Sequence, residues 1–430
     1  MRSEFESSNP SWVPTRLKDL LNEPQYASVM LATGVFFLMS IIIHFPLNNS
    51  PQFYSDFLGS FWGRTTSSGL REVVVGIPYV TYMFEYPPIC GLILWAGGWA
   101  SQGSIYIFSI VEFGILLIVA VLVSHFTYQF IGYLGLNRNR QVLYSVFAPS
   151  LLIYGAYNFD IVQTLFVVMS LYFFMARKQL KWSAAFLGLS VATKLSPAFL
   201  LPLFWQEIRS KNARIRYTVV MGAVVAALNV PFMIINFNTW LAGYTFLKNW
   251  GLEDSFLVWI FHNQANWGLA KDISYGLLGL AVLSIYVFFR RKPLLVRSFM
   301  ILGSFILFSY IATPQMNLDL LPLFSLVPMI PLSLFYLFEL ADIGIIISWF
   351  HFQPNNVTPS VPQTFALLRQ LYLAVENRYQ VGAPHRLWIG VRAVALQAER
   401  IRVACAQQLC VLASVRFMAS GAALLEGGLV

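Results

Sequence analysis

Four sets of polar residues lie within or beside apolar sequence, where an unsatisfied polar group is expensive. Asp56 follows Phe53-Tyr54-Ser55 and precedes Phe57, Phe61, Trp62 and Arg64, so a carboxylate borders an aromatic amphipathic stretch. Such a group can accept a proton from a hydroxyl substrate; a solvated loop acid is the other reading. Glu85 and Tyr86 sit in Phe84-Glu85-Tyr86-Pro87-Pro88, where paired prolines fix how the chain runs into the apolar segment 89–99. A structural turn and a substrate contact account for them equally well. Asn158 and Asp160, with Gln163 one turn later, place amide and carboxylate groups at the junction of two apolar runs. Helix capping explains these residue types as readily as ligand binding does. Lys194, in Lys194-Leu195-Ser196-Pro197, is a lone ammonium in an apolar segment. It suits a phosphate, or it snorkels to an interface.

A fifth set is looser. The stretch 237–271 carries Trp240, Tyr244, Lys248, Trp250, Glu253, Asp254, His262, Asn263, Asn266 and Trp267. Aromatic faces beside amides and acids suit sugar rings, whose C–H faces stack while their hydroxyls hydrogen-bond; they equally suit an interfacial aromatic belt. His262 is a candidate phosphate contact or proton shuttle, or a histidine satisfied by backbone. No glycine loop that cradles phosphates, no HExxH and no outer Asp-x-Asp pair occurs, which argues against an energy-coupled transporter and a metal-dependent enzyme. No metal or other cofactor is implied.

The elements that must carry these groups are membrane helices. Of 430 residues 57% are hydrophobic and only 11% charged, more apolar surface than a soluble fold buries. The net charge of +9 falls in short runs between apolar stretches, at 138–140, 177–181, 209–216 and 290–297, the pattern of cytoplasmic loops and not of a nucleic-acid stripe. The length criterion of roughly 20 apolar residues predicts spans near 28–46, 104–131, 141–157, 158–176, 216–236, 272–290, 295–312, 317–338 and 340–352. The segment 183–206 is different. A single crossing there would put 207–216 on the wrong side, whereas a helix that breaks at Lys194 and returns keeps it inside, and Pro197 makes a break reasonable.

The expected fold is therefore all-α and polytopic, with about 9–11 membrane helices, some short or re-entrant, and amphipathic helices in the first outer loop. Residues 1–27 form a cytoplasmic segment, 28–352 the membrane module with outer loops 47–103 and 237–271, and 353–430 a tail of unclear role. That tail holds seven arginines, no lysine and two of the 37 phenylalanines, and a surface helix near 386–418 is conceivable there. The cysteines Cys90, Cys405 and Cys410 show neither zinc nor redox spacing.

In order, four stretches resemble the GT-C superfamily of membrane glycosyltransferases, in particular its polyprenyl-phosphate-mannose-dependent branch. They are Tyr54-Ser55-Asp56; Ile77-Pro78-Tyr79 to Pro87-Pro88; Ala192 to Pro197; and Thr313-Pro314-Gln315-Met316 leading into Leu320-Leu321-Pro322. The likeness covers about residues 28–345. Thr81 stands where relatives often carry an aspartate, and Met316 where an aromatic is usual.

The resemblance implies Asp56 as catalytic base and a hexose, mannose first, delivered from a polyprenyl- or dolichyl-phosphate donor. The acceptor would be a lipid or glycan on the non-cytoplasmic face, in the plasma membrane if the source is prokaryotic. Partners would be these lipids, with no nucleic acid. Lys194 becomes the expected phosphate contact with His262 behind it, while Glu85, Tyr86, Asn158, Asp160, Gln163 and Gln315 shape the sugar or acceptor pocket. A flippase for lipid-linked sugars, and a non-catalytic subunit of a glycosylation complex, are the competing readings.

Overall fold

The computed structural model describes residues 23–47, 54–327, 330–352 and 360–381, and over these the chain is helical with only isolated bridging pairs of extended residues. In chain order the α-helices of six or more residues are α1 (Pro24–His44), α2 (Pro88–Ser101), α3 (Ile105–Tyr133), α4 (Pro149–Tyr154), α5 (Asp160–Met175), α6 (Leu180–Val191) and α7 (Leu201–Glu207). Then follow α8 (Lys211–Ile235), α9 (Phe237–Phe246), α10 (Trp267–Phe288), α11 (Leu294–Phe308), α12 (Leu321–Leu326), α13 (Leu332–Phe352) and α14 (Val361–Val381). Among the described residues five helices are long and apolar enough to cross a membrane, namely α1, α3, α8, α10 and α13, while α2, α5, α6 and α11 are apolar but shorter. The all-α polytopic class is thus as expected.

Local chemistry sets the ends. Pro24 opens α1 with its φ already helical and no amide left to satisfy. Ser104 Oγ accepts from the Ile107 amide at 3.4 Å to cap α3, and Asn236 Oδ1 accepts from the Thr239 amide at 3.2 Å to cap α9. Prolines do the breaking. The expected span 141–157 is interrupted after a π-turn, Val142–Val146, because Ala148 precedes Pro149 and is held extended at ψ 125°. The expected spans 317–338 and 340–352 are also redrawn. A 3-10 turn, Pro314–Asp319, leads into α12, which stops at Val327 (ψ 147°), the residue before Pro328; α13 starts after Pro331 and runs straight through 340.

The break expected at Lys194 is present. Helix α6 ends at Val191, Lys194 lies outside any helix, and the chain resumes through the 3-10 turn Ser196–Leu200 into α7. It also returns. Lys194 pairs with Asp160 at the first residue of α5, whereas Glu207 at the end of α7 pairs with Arg297 near the start of α11, and Gln206 Nε2 donates to the Tyr286 carbonyl at 3.0 Å. The basic stretches flanking Glu207 and Arg297 therefore share one end of the bundle, away from Lys194.

Helix α2 is seated directly on the turn Glu72–Val75. A Cβ on Gly98 would stand 1.8 Å from the Val73 carbonyl oxygen, whereas one on Gly114 of α3 would meet nothing within 4 Å. Gly98→Ala is therefore expected to destabilise the protein by about 1–3 kcal/mol through overpacking, and Gly114→Ala to be neutral or slightly stabilising. Thermal unfolding of the two variants in detergent, side by side, checks this. Equal behaviour would mean that α2 does not bear on that turn.

The suggested surface helix near 386–418, with Cys405 and Cys410, lies outside the described residues. Helix α14, also in the tail 353–430, is described, and its side chains bond the loops around the site.

Candidate functional site

Three chain segments are brought together by interlocked rings. Phe57 and Phe61 come from the π-turn after Asp56, Phe84 and Tyr86 from the double-proline segment, and Phe159 from the junction before α5. Ring centroids are 4.7 Å apart for Phe57 and Phe159, 5.2 Å for Phe61 and Phe84, and 5.7 Å for Tyr86 and Phe159. Aromatic contacts of this kind add to the burial that already favours them. The polar neighbours of these rings therefore meet.

Asn158 makes the junction. Fully buried, it donates through Nδ2 to Asp56 Oδ2 at 2.5 Å and to the Tyr86 hydroxyl at 2.7 Å, while its Oδ1 accepts from the Phe159 amide at 2.6 Å. Both amide protons are used, so the side chain has one orientation. The Asp56 amide donates to the Tyr157 carbonyl at 3.1 Å, which fixes the backbone as well. Burial, and then the negative charge of Glu253, push Asp56 up to about 7; Asp160 and Glu85 add to the rise and a hydrogen bond from Tyr54 opposes it. A carboxylate poised near 7 can both take and return a proton at neutral pH.

Glu85 lies beside this group with its oxygens engaged. Arg64 Nη1 donates to Glu85 Oε2 at 2.9 Å and Nη2 to Oε1, a two-toothed pairing that leaves the carboxylate 11% exposed. Asp160 pairs with Lys194, whose side chain is 20% exposed, so the ammonium expected to contact a phosphate already has a carboxylate partner. Thr164 Oγ1 lies 3.3 Å from Asp319 Oδ1, and Asp319 is the second acid near Lys194. Gln163 is fully buried, with its side chain next to the Asp319 carboxylate.

Of the expected site residues, Asp56, Glu85, Tyr86, Asn158, Asp160 and Lys194 come together. Gln315 is buried in the turn Pro314–Asp319, four residues from Asp319, without a hydrogen bond linking it to Asp56 among the described residues. His262 is exposed in its loop and no described contact ties it to the cluster. Three further residues belong to the site. Glu253 accepts from Trp250 Nε1 at 2.5 Å and its charge raises Asp56, Arg64 holds Glu85, and the charge of Asp319 acts on Lys194. Sequence offered a faint signal for two of them: Glu253 stands three residues after Trp250, and Asp319 is a lone acid in an apolar run. Among the described residues no group of three or more His, Cys, Asp or Glu is arranged to hold a metal ion.

Fold and site together define an all-α polytopic membrane protein with a carboxylate cluster where its loops converge. No protein-family model, curated protein or solved structure matches the chain.

Proposed function

We propose that the protein is a membrane glycosyltransferase that moves a hexose, mannose in the first instance, from a polyprenyl- or dolichyl-phosphate donor to a hydroxyl of a lipid or glycan acceptor. The reaction takes place on the non-cytoplasmic face with Asp56 as general base. The observation that carries this reading is the Asp56 carboxylate, fixed by Asn158 and poised near pH 7 among aromatic rings. Asp56 takes the acceptor proton as the hydroxyl oxygen bonds to the sugar C1, and the bond from C1 to the phosphate oxygen breaks. A lipid phosphate leaves readily, so the protein must supply a base and a cation near the departing oxygen, here Lys194 at the break after α6.

The test is transfer by the purified full chain from radiolabelled dolichyl-phosphate mannose, with a membrane lipid extract as acceptor. Label is expected in a new glycosylated product. The groups facing Asp56 are Glu253, Asp160, Glu85 and the hydroxyls of Tyr54, Tyr86 and Tyr157. Protonated Asp56 cannot act as base, so the rate should rise with pH, climbing about tenfold per unit below the midpoint, and level off above about 7. A rate that is flat from pH 5 to 8 would remove Asp56 from the role.

The buried group of Lys194, Asp160 and Asp319 also suits transport, since ionisable side chains in membrane proteins mark pathways. Labelled lipid crossing liposomes with no new product would favour that reading.

A further inference from the structure

Helix α14 lies beyond residue 352, where the membrane module read from sequence ends, yet it bonds the loop that carries Glu253. Arg369 of α14 and Asp342 of α13 are both fully buried, with Nη1 donating to Asp342 Oδ1 at 2.9 Å. Its Nη2 donates to two backbone carbonyls, Asp254 at 3.4 Å and Ala312. Those carbonyls belong to stretches that already grip each other: the Glu253 amide donates to the Tyr310 carbonyl at 2.9 Å, and the Ala312 amide to the Glu253 carbonyl at 2.9 Å. Neighbouring residues of α14 extend the contact. Gln370 Oε1 accepts from the Phe256 amide at 3.0 Å, its Nε2 donates to the Ile306 carbonyl at 2.9 Å, and the Gln363 carbonyl accepts from Trp259 Nε1 at 3.2 Å.

A buried ion pair alone would not explain the arrangement, because apolar packing of the same volume is generally as stable. What distinguishes Arg369 is where its second terminal nitrogen points. A planar guanidinium reaches a carboxylate and two carbonyls on three different elements; a lysine ammonium is a single point.

We propose that Arg369 is a positioning residue, which fixes the stretches 253–256 and 310–313 against each other and thereby sets where the Glu253 carboxylate stands. It also fixes the start of the turn Pro314–Asp319, which carries Gln315 and Asp319. The clamp stands without the transfer reading; its consequence for Asp56 rests on that reading. Among the groups facing Asp56, named above, only Glu253 lies on a stretch that Arg369 touches. Releasing it withdraws one negative neighbour, so Asp56 ionises more readily.

The experiment uses the full chain in detergent with the double change Arg369→Met and Asp342→Asn, which removes the clamp while leaving no lone buried charge, and Arg369→Lys as the milder variant. Amide hydrogen exchange in 252–258 and 310–316 is expected to rise roughly tenfold or more in the double variant, with exchange in α3 and α5 unchanged. The acid limb of transfer rate against pH is expected to move down by about one unit. Unchanged exchange in both stretches overturns the clamp, whatever the activity. Raised exchange with an unmoved pH limb overturns the link to Asp56. If protection falls throughout the chain, the double variant has not folded and Arg369→Lys decides by the same two readouts. If wild type shows no transfer at all, exchange still judges the clamp, and it is the proposed function that falls.

Discussion

Asp56→Asn is expected to lower sugar transfer by about 10²–10⁴-fold, the usual contribution of a positioned acid–base group, without lowering the unfolding temperature. The two halves of this result come from the same environment. In the folded chain Asp56 is raised from 3.8 to about 7, so the folded state holds its proton more tightly than the unfolded chain does. Asp56 therefore favours folding most at low pH, and ionising it removes stability progressively as pH rises from about 4 to about 7. An asparagine is never charged, and its side-chain oxygen can still accept from Asn158 Nδ2, which now lies 2.5 Å from Asp56 Oδ2. Wild type and variant should thus unfold alike below about pH 4, where Asp56 is protonated folded or unfolded, and the variant should be increasingly the more stable as pH rises to 7 and above. Transfer by the variant at a near wild-type rate would remove Asp56 as base. Loss of transfer with a large fall in unfolding temperature would mean that the carboxylate serves the fold.

Lys194→Met is expected to do the opposite to stability. It strands Asp160, which is 1% exposed and whose Oδ2 already lacks a hydrogen bond among the described residues, with Asp319 close by. Removing one partner of a buried pair generally costs about 3–5 kcal/mol, because the other charge stays buried and uncompensated. The double change Lys194→Met and Asp160→Asn should recover most of this loss, since neither charge remains. Transfer should not recover with it, because the cation proposed for the departing phosphate is gone. Chemical unfolding and the transfer assay on the same three proteins separate the two effects. A double variant as unstable as the single one would mean that the pair is not the source of the loss, and a double variant with restored transfer would free Lys194 of any phosphate role.

Much of the site was legible in residue types. Asp56, Asn158 and Lys194 attract notice because a polar group in apolar surroundings must be bonded or used. The break at Lys194 was legible too, since the proline three residues on and the misplaced basic loop both demand it. Other parts were hidden for identifiable reasons. A window of apolar residues cannot tell a straight helix from two pieces separated by proline, so the region after Pro314 was divided at the wrong place. Helix α14 was passed over because Arg369, Gln370 and Glu376 make it look polar, although Arg369 finds its partners inside the bundle.

By itself the sequence determined the all-α membrane class, the gathering of its basic loops and the identity of the one acid beside the first aromatic stretch, because hydropathy and local turn chemistry act over a few residues. Only the tertiary structure decided who meets whom. Asp56 and Asn158 are 102 positions apart, Lys194 and Asp160 are 34 apart, and Arg369 and Ala312 are 57 apart. Contacts at such separations depend on how helices and rings pack, so the surroundings of Asp56, on which the proposed hydroxyl chemistry rests, were set only once Asn158 and the rings around it were in place.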